Sequence, residues 1–182
     1  MNELDILRKG FIAFLDGLWW GLCENVGPLS MYEGYASGFR LMGAEKAKAD
    51  GAKGPEAAAK TAVELFSSIG LDVSLNGKEI LVNSCPMWNR ILEKGLEYAF
   101  HVEEICWKPM LEGIAEESGA KPVVESALRL IHLERAKSEY KKKKAKDAVD
   151  KGNISKEEYE TRVEAIHRIQ GKITSKGRYR FE

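Results

Sequence analysis

The pair Asn76-Gly77 constrains the fold more than any other part of the sequence, because it stands between two short apolar segments. Residues 71–75 and 78–82 flank the pair, and apolar side chains alternate along the first segment. Asn-Gly is the preferred pair for a tight turn between antiparallel strands, so the pattern predicts a β-hairpin with one buried face. A two-stranded hairpin is only marginally stable by itself. We therefore predict a third strand over residues 123–131, whose apolar side chains also alternate, although their composition suits a helix as well.

Helical periodicity dominates the rest of the first 132 residues, where apolar side chains recur at spacings of three and four. Ser30-Met31-Tyr32-Glu33 has the form of a capping box and predicts the start of the second helix. Pro109 lies within the last predicted helix and is expected to kink or break it. The predicted helices cover residues 4–26, 30–49, 55–70, 86–95 and 97–118. The sequence thus predicts an α+β fold, with helices packed on a small antiparallel sheet.

Two glycines lie four residues apart in the second predicted helix. Glycine lowers helix stability by about 1 kcal/mol relative to alanine, so Gly34 and Gly38 need a reason to be there. Either a close backbone contact or a ligand beside the helix would supply one.

Charge divides the chain into two parts, although the 28 basic and 28 acidic residues balance overall. Residues 1–132 hold 13 basic and 19 acidic side chains, a net charge of −6. Residues 133–182 hold 15 and 9, a net charge of +6. We interpret the first part as an α+β domain and the second as a charged helical hairpin, with its turn at Gly152-Asn153 and a basic end at 176–180.

The helical hairpin over residues 133–182 is expected to bind a protein partner or to form a homodimer, given the opposite charges of the two parts. Lys141 to Lys144 form a basic run, but acidic residues such as Glu139 and Asp147 are interleaved with it. No aromatic stacking platform or recognition helix is evident. Nucleic acid is therefore not an expected partner.

Several classes of protein are excluded by what the sequence lacks. No apolar run approaches the roughly 18 to 20 residues that span a bilayer, and the N-terminus does not have the pattern of a secretory signal. Three cysteines, an odd number, do not make a disulfide framework and favour a reducing, cytoplasmic location. Phosphate-binding loops, zinc-protease motifs and nucleophile elbows are absent as well.

Three short motifs occur in an order that is similar to a known superfamily. They are residues 31–39 (MYEGYASGF), the Ser84-Cys85-Pro86 that ends the hairpin, and Ile105-Cys106-Trp107 followed by Gly113. Their order resembles the 4-vinyl-reductase-type small-molecule-binding domain, the related L-2-amino-thiazoline-4-carboxylic acid hydrolase-like proteins and, more distantly, transport-particle (TRAPP) subunits of the Golgi. The resemblance covers roughly residues 5–132.

This resemblance implies an α+β domain that encloses a pocket for an apolar or aromatic ligand. In sensor members, a zinc ion beside the pocket is held by one cysteine before a helix and by an E-x-x-C…C cluster on the last strands. Cys106 and Glu125 are the counterparts here, while Leu128 stands at the place of the E-x-x-C cysteine. The Cys85-Pro86 pair together with Cys106 fits the thiazoline-hydrolase-like pattern better.

Spacing within residues 85–106 indicates a candidate metal site. Thiolates and imidazoles suit zinc or iron. Glu103 and Cys106 converge on one helix face at i, i+3, whereas His101 is five positions from Cys106 and does not converge with it as well. The predicted zinc ligands are Cys85, Glu103 and Cys106, with His132 or His101 as a fourth. The alternative is that both cysteines are small buried core residues.

Aromatic residues are concentrated in the first domain and predict the walls of a hydrophobic pocket. The predicted ligand-binding residues are Trp19, Tyr35, Phe39, Trp88 and Trp107. An ordinary aromatic core is the alternative interpretation. We therefore expect a cytoplasmic protein that binds or senses a small hydrophobic molecule, with a zinc-dependent or cysteine-dependent hydrolase-like or tetrapyrrole-related enzyme and a scaffold subunit as the alternatives. No catalytic residue is assigned.

Overall fold

The structure, a computed structural model, describes residues 2–182 and confirms the α+β class. The helices are α1 (Glu3–Val26), α2 (Pro28–Asp50), α3 (Gly54–Ile69), α4 (Pro86–Glu93), α5 (Lys108–Ser118), α6 (Leu128–Asp150) and α7 (Lys156–Gln170). A π-helical segment, Glu103–Trp107, directly precedes α5. The strands are β1 (Asp72–Asn76), β2 (Glu79–Ser84), β3 (Pro122–Ser126) and β4 (Gly177–Phe181).

The four strands form one antiparallel sheet in the order β1-β2-β4-β3. The prediction that residues 133–182 form only a helical hairpin is wrong for the last strand, because β4 lies at the centre of the sheet. Its side chains alternate as a strand requires: Tyr179 and Phe181 are buried, and Arg178 points to solvent. The basic composition of this segment concealed the alternation.

The predicted hairpin is confirmed, but its turn lies one residue further along the chain. Asn76 pairs with Glu79, so Gly77 and Lys78 form the two-residue connection. Gly77 has a φ of 59°, while no non-glycine residue has a positive φ. Glycine at the first central position is the pattern of a type II′ turn, whereas the type I′ turn that Asn-Gly favours needs positive φ at both positions.

Strand β3 confirms a third strand but is shorter than predicted, since α6 begins at Leu128. A carboxylate oxygen of Glu103 accepts a hydrogen bond from the backbone N–H of Arg129 at 3.2 Å. That bond satisfies a donor in the first turn of α6, which otherwise has no partner within the helix. This long-range cap lets the helix begin where the alternation predicted a strand.

Two helix boundaries also differ from the prediction. Helix α2 begins at Pro28 and not at Ser30, because Gly27 (φ 82°, ψ 163°) allows α1 to turn directly into α2. Residues 97–101 are not helical, although the prediction placed them in the helix over 97–118, and Tyr98 is 65% exposed. Pro109, expected to kink or break the helix, lies in the first turn of α5, where the π-helical segment changes to α-helix without a gap and a missing N–H donor is tolerated.

The chain divides into two compact units. The first comprises residues 2–129 and 176–182, and the second comprises residues 130–175, which form the α6–α7 hairpin. The second unit holds 12 basic and 8 acidic residues, a net charge of +4, because the basic residues of β4 belong to the first unit. Among the described residues, none of the helices has the length and apolar character to span a membrane.

Two glycines bring α2 and α5 into direct backbone contact in the first unit. A Cβ atom built on Gly43 would lie 2.0 Å from the carbonyl oxygen of Met110, and one built on Gly113 would lie 2.0 Å from that of Arg40. Both distances are far shorter than any real contact. Salt bridges from Arg40 to Glu112 and Glu116 flank the crossing. The two helices therefore approach to a distance that only glycine permits.

We expect Gly43→Ala or Gly113→Ala to lower the free energy of unfolding by about 2 kcal/mol or more, because the added methyl group meets fixed backbone atoms. Urea denaturation followed by circular dichroism measures the change. Gly34→Ala is the matched control, since a Cβ atom there meets nothing within 4 Å. The control should be neutral or gain up to about 1 kcal/mol from the better helix propensity of alanine. Equal effects at the three positions would contradict this account of the α2–α5 contact.

Candidate functional site

An apolar groove of about 490 Å³ runs between α1 and α2. The two helices are antiparallel neighbours: Phe11 contacts Phe39 edge-on, and further along Trp19 stacks on Tyr32 at a ring distance of 5.8 Å. Ser30 is the only lining residue with a polar side chain apart from Tyr35, and no lining residue is charged. The groove is lined by Phe11, Leu15, Leu18, Leu22, Val26, Ser30, Met31, Gly34, Tyr35, Gly38, Phe39 and Met42.

Gly34 and Gly38 create room in this groove. A Cβ atom built on either glycine meets no atom within 4 Å. Of the two reasons the sequence offered for these glycines, a close backbone contact is therefore wrong. The backbone contact is made elsewhere on the same helix, by Gly43. The structure instead leaves space beside the helix, which a ligand, the other reason, would need.

Tyr35 is held firmly at the wall of the groove. Its hydroxyl donates a hydrogen bond to the backbone carbonyl of Leu15 on α1. Burial raises the pKa of this phenol well above its usual value, so it stays neutral. Because its hydroxyl is already bonded to α1, Tyr35 presents mainly its ring to the groove.

The other predicted pocket aromatics occupy different places. Phe39 lines the groove, whereas Trp19 packs on Phe100, at a ring distance of 4.2 Å, and lines a separate cavity of only about 40 Å³. Trp107 is 2% exposed and contacts Phe39 and Phe66 edge-on. Trp88 is buried as well, and neither of these two tryptophans lines the groove. Tyr35 and Phe39 are thus the two predicted residues that the groove brings together.

The groove residues that the sequence reasoning did not assign are mostly aliphatic. Leu15, Leu18 and Leu22 recur on one face of α1, and Met31 and Met42 extend the opposite wall on α2. Helical periodicity identified the α1 residues as an apolar face. It carried no information about whether that face is filled by other side chains or left open.

Cys85 and Cys106 are buried in the first unit. The Cys85 sulfur accepts a hydrogen bond from the backbone N–H of Trp88 at 3.3 Å and so caps the first turn of α4. Burial raises the pKa of the Cys85 thiol to about 12 and raises that of Cys106 well above its usual value. Both thiols are therefore protonated at neutral pH, which disfavours the thiolate form that nucleophilic reactions need.

Glu103 is also buried, and burial raises its pKa. Its carboxylate is close enough to both cysteines to interact with them electrostatically, but one of its oxygens caps α6 through Arg129. His101 lies within 3.2 Å of the Tyr98 carbonyl oxygen. Among residues 2–182, no three histidine, cysteine, aspartate or glutamate side chains form a group that could hold a metal ion.

His132 lies on α6 in the second unit. The zinc site predicted from Cys85, Glu103, Cys106 and His132 therefore stays a prediction.

Compared with models of known protein families, with curated proteins and with solved structures, the chain matches none. The resemblance to the 4-vinyl-reductase-type domain therefore stays a prediction from three short motifs.

Native protein should react with Ellman's reagent at one thiol, Cys23, which is partly exposed, while Cys85 and Cys106 react only on unfolding. Their burial and their raised pKa values both suppress attack. Absorbance of the released thiol at neutral pH, with and without urea, counts the reactive groups. Cys23→Ser is the control and should leave no reactive thiol in the native protein. Fast reaction of two or three thiols in native protein would contradict the buried placement.

Glu103→Gln should stabilise the protein at neutral pH. Because the pKa of Glu103 is raised in the folded state, its protonated form contributes stability below the ordinary glutamate pKa. That contribution is lost as the pH rises through the raised pKa. Glutamine keeps an oxygen that can accept the Arg129 hydrogen bond and does not titrate. Urea denaturation at several pH values should show a flatter pH dependence for the variant; a variant less stable than the parent at neutral pH would contradict the prediction.

Proposed function

We propose that this protein binds a small, uncharged hydrophobic molecule in the groove between α1 and α2. The observation that carries the proposal is the pair Gly34 and Gly38, which leave open space on a helix whose neighbouring side chains are apolar. Ligand pockets in proteins typically have volumes of roughly 300 to 1,000 Å³ and mostly apolar walls. The groove, at about 490 Å³, falls within that range.

The lining favours a particular class of ligand. An ionised ligand would lose its hydration without gaining a partner, because no charged side chain lines the groove. Tyr35 offers its ring to an aliphatic or aromatic group, since its hydroxyl is bonded to Leu15. Ser30 lies near the start of α2, so a ligand with one polar group would place it at that end.

The residues that line the groove support ligand binding and not catalysis. Cysteine, histidine and carboxylate side chains are missing from the residues that line the groove. The buried cysteines cap a helix or fill the core, with protonated thiols. A nucleophile and a general acid or base would both be needed for a hydrolase.

We expect the uncharged fluorescent probe N-phenyl-1-naphthylamine to bind the native protein saturably, and Gly38→Leu to weaken that binding at least about tenfold by filling the groove. Fluorescence titration measures the affinity. Gly17→Leu is the matched control, because Gly17 lies on α1 outside the lining and also has open space around it.

Both leucine variants should keep or raise the melting temperature, since leucine is a better helix former than glycine. Loss of probe binding can then be attributed to the groove and not to unfolding. Equal binding by the parent, Gly38→Leu and Gly17→Leu proteins would contradict the proposal.

A further inference from the structure

The α6–α7 hairpin of the second unit carries a hollow of about 400 Å³ with an apolar floor and a basic rim. The floor consists of Ala145, Ala165, Ile166 and Ile169. The small alanine side chains, the buried Ile166 and the half-exposed Ile169 leave a concave space that an inserted aliphatic side chain would fill. Such a side chain must come from outside the hairpin, because nothing within this unit occupies the space.

Three cations surround that floor: Lys141 and Lys144 on α6, and Arg162 on α7. Arg162 forms a salt bridge with Glu158. Lys141 and Lys144 have no acidic partner among the described residues, although neighbouring Lys142 is paired with Glu139. The rim therefore keeps at least two uncompensated positive charges beside an unfilled apolar surface.

The first unit carries a surface of complementary charge where α1 turns into α2. Leu29 is 76% exposed and Val26 is 53% exposed, so this end of the helix pair is an exposed apolar tip. Glu24 and Glu33 are exposed beside it, and neither forms a salt bridge within the described part of the chain. Leu29 and Glu33, at i, i+4, share one face of α2.

A cation would also stabilise this tip through the helix backbone. The carbonyl end of a helix carries partial negative charge, which basic side chains in the last turn usually offset. The last turn of α1 has no basic residue, and it contains Glu24. Lysine side chains from outside would offset the charge of both the carboxylate and the helix end.

From this complementarity we infer that the protein associates with itself, the tip at Glu24, Leu29 and Glu33 of one copy docking into the hollow at Lys141 and Lys144 of another. An apolar side chain flanked by two carboxylates enters an apolar hollow flanked by unpaired lysines. Glu24, Leu29 and Glu33 do not line the ligand groove, although Val26 beside them does.

A second copy accounts for these features better than a membrane or a nucleic acid. A membrane surface binds bulky apolar side chains on a convex helix face, whereas this apolar floor is recessed and built partly of alanine. A phosphate backbone binds along an extended row of cations, whereas acidic residues such as Glu139 and Asp147 interrupt the lysines on α6.

Analytical ultracentrifugation over a wide range of protein concentration tests the inference. The parent protein should associate in a concentration-dependent way, and more weakly at high salt, because screening reduces attraction between the exposed charges. The double variants Lys141→Glu/Lys144→Glu and Glu24→Lys/Glu33→Lys should each weaken the association at least about tenfold, since like charges then face each other.

The matched control is the double variant Lys151→Glu/Lys156→Glu. It makes the same charge change on exposed lysines outside the hollow and should leave the association unchanged.

Mixing the two charge-reversed proteins should restore association, because the acidic hollow of one then faces the basic tip of the other. Leu29→Ser should weaken the parent association without changing its salt dependence. A parent protein that is monomeric at every concentration would overturn the inference, as would association that the charge reversals do not change or that mixing does not restore. Binding of the parent to phosphatidylserine vesicles or duplex DNA without self-association would assign the hollow to a different partner.

Discussion

The direct backbone contact between α2 and α5 is the constraint on which the rest of the first unit depends. Gly43 and Gly113 let the two helices touch through main-chain atoms, and this fixes α2 against the core. Gly34, nine residues earlier and therefore on the opposite side of the helix, is left facing open space. Glycine therefore has two opposite effects in α2. On one face it allows direct backbone contact with α5, and on the other face it leaves space unfilled. The contact with α5 and the groove therefore lie on opposite faces of α2.

Local chemistry made the hairpin and most helix limits predictable from the sequence. Turn residues and apolar spacing act over a few positions, so they can be recognised without knowing the fold. The central strand β4 was not predicted. Arg178 and Arg180 alternate with its buried residues and give the segment the composition of a basic tail. The start of α6 was not predicted either, because the side chain that caps it belongs to Glu103, which is distant in the sequence.

The candidate site was predictable only in part, for a related reason. Gly34 and Gly38 were conspicuous as glycines inside a helix, and Tyr35 and Phe39 as aromatic residues beside them. The sequence could not show which glycines face space and which face backbone, because that depends on α5, more than sixty residues away. For Cys85 and Cys106 it left two interpretations open, and their deep burial and raised pKa values favour core residues.

The central position of β4 has a consequence for how the molecule folds. Val82 pairs with Gly177 although 95 positions separate them, and β3 joins the sheet only through β4. The sheet therefore cannot be completed until the chain beyond α7 has been synthesised and brought back. The α6–α7 hairpin lies between β3 and β4 and is built from contacts close in sequence, which form quickly. Once formed, it shortens the loop that must close and lowers the entropic barrier to inserting β4. This charged insertion can thereby speed the folding of a sheet to which it contributes no strand.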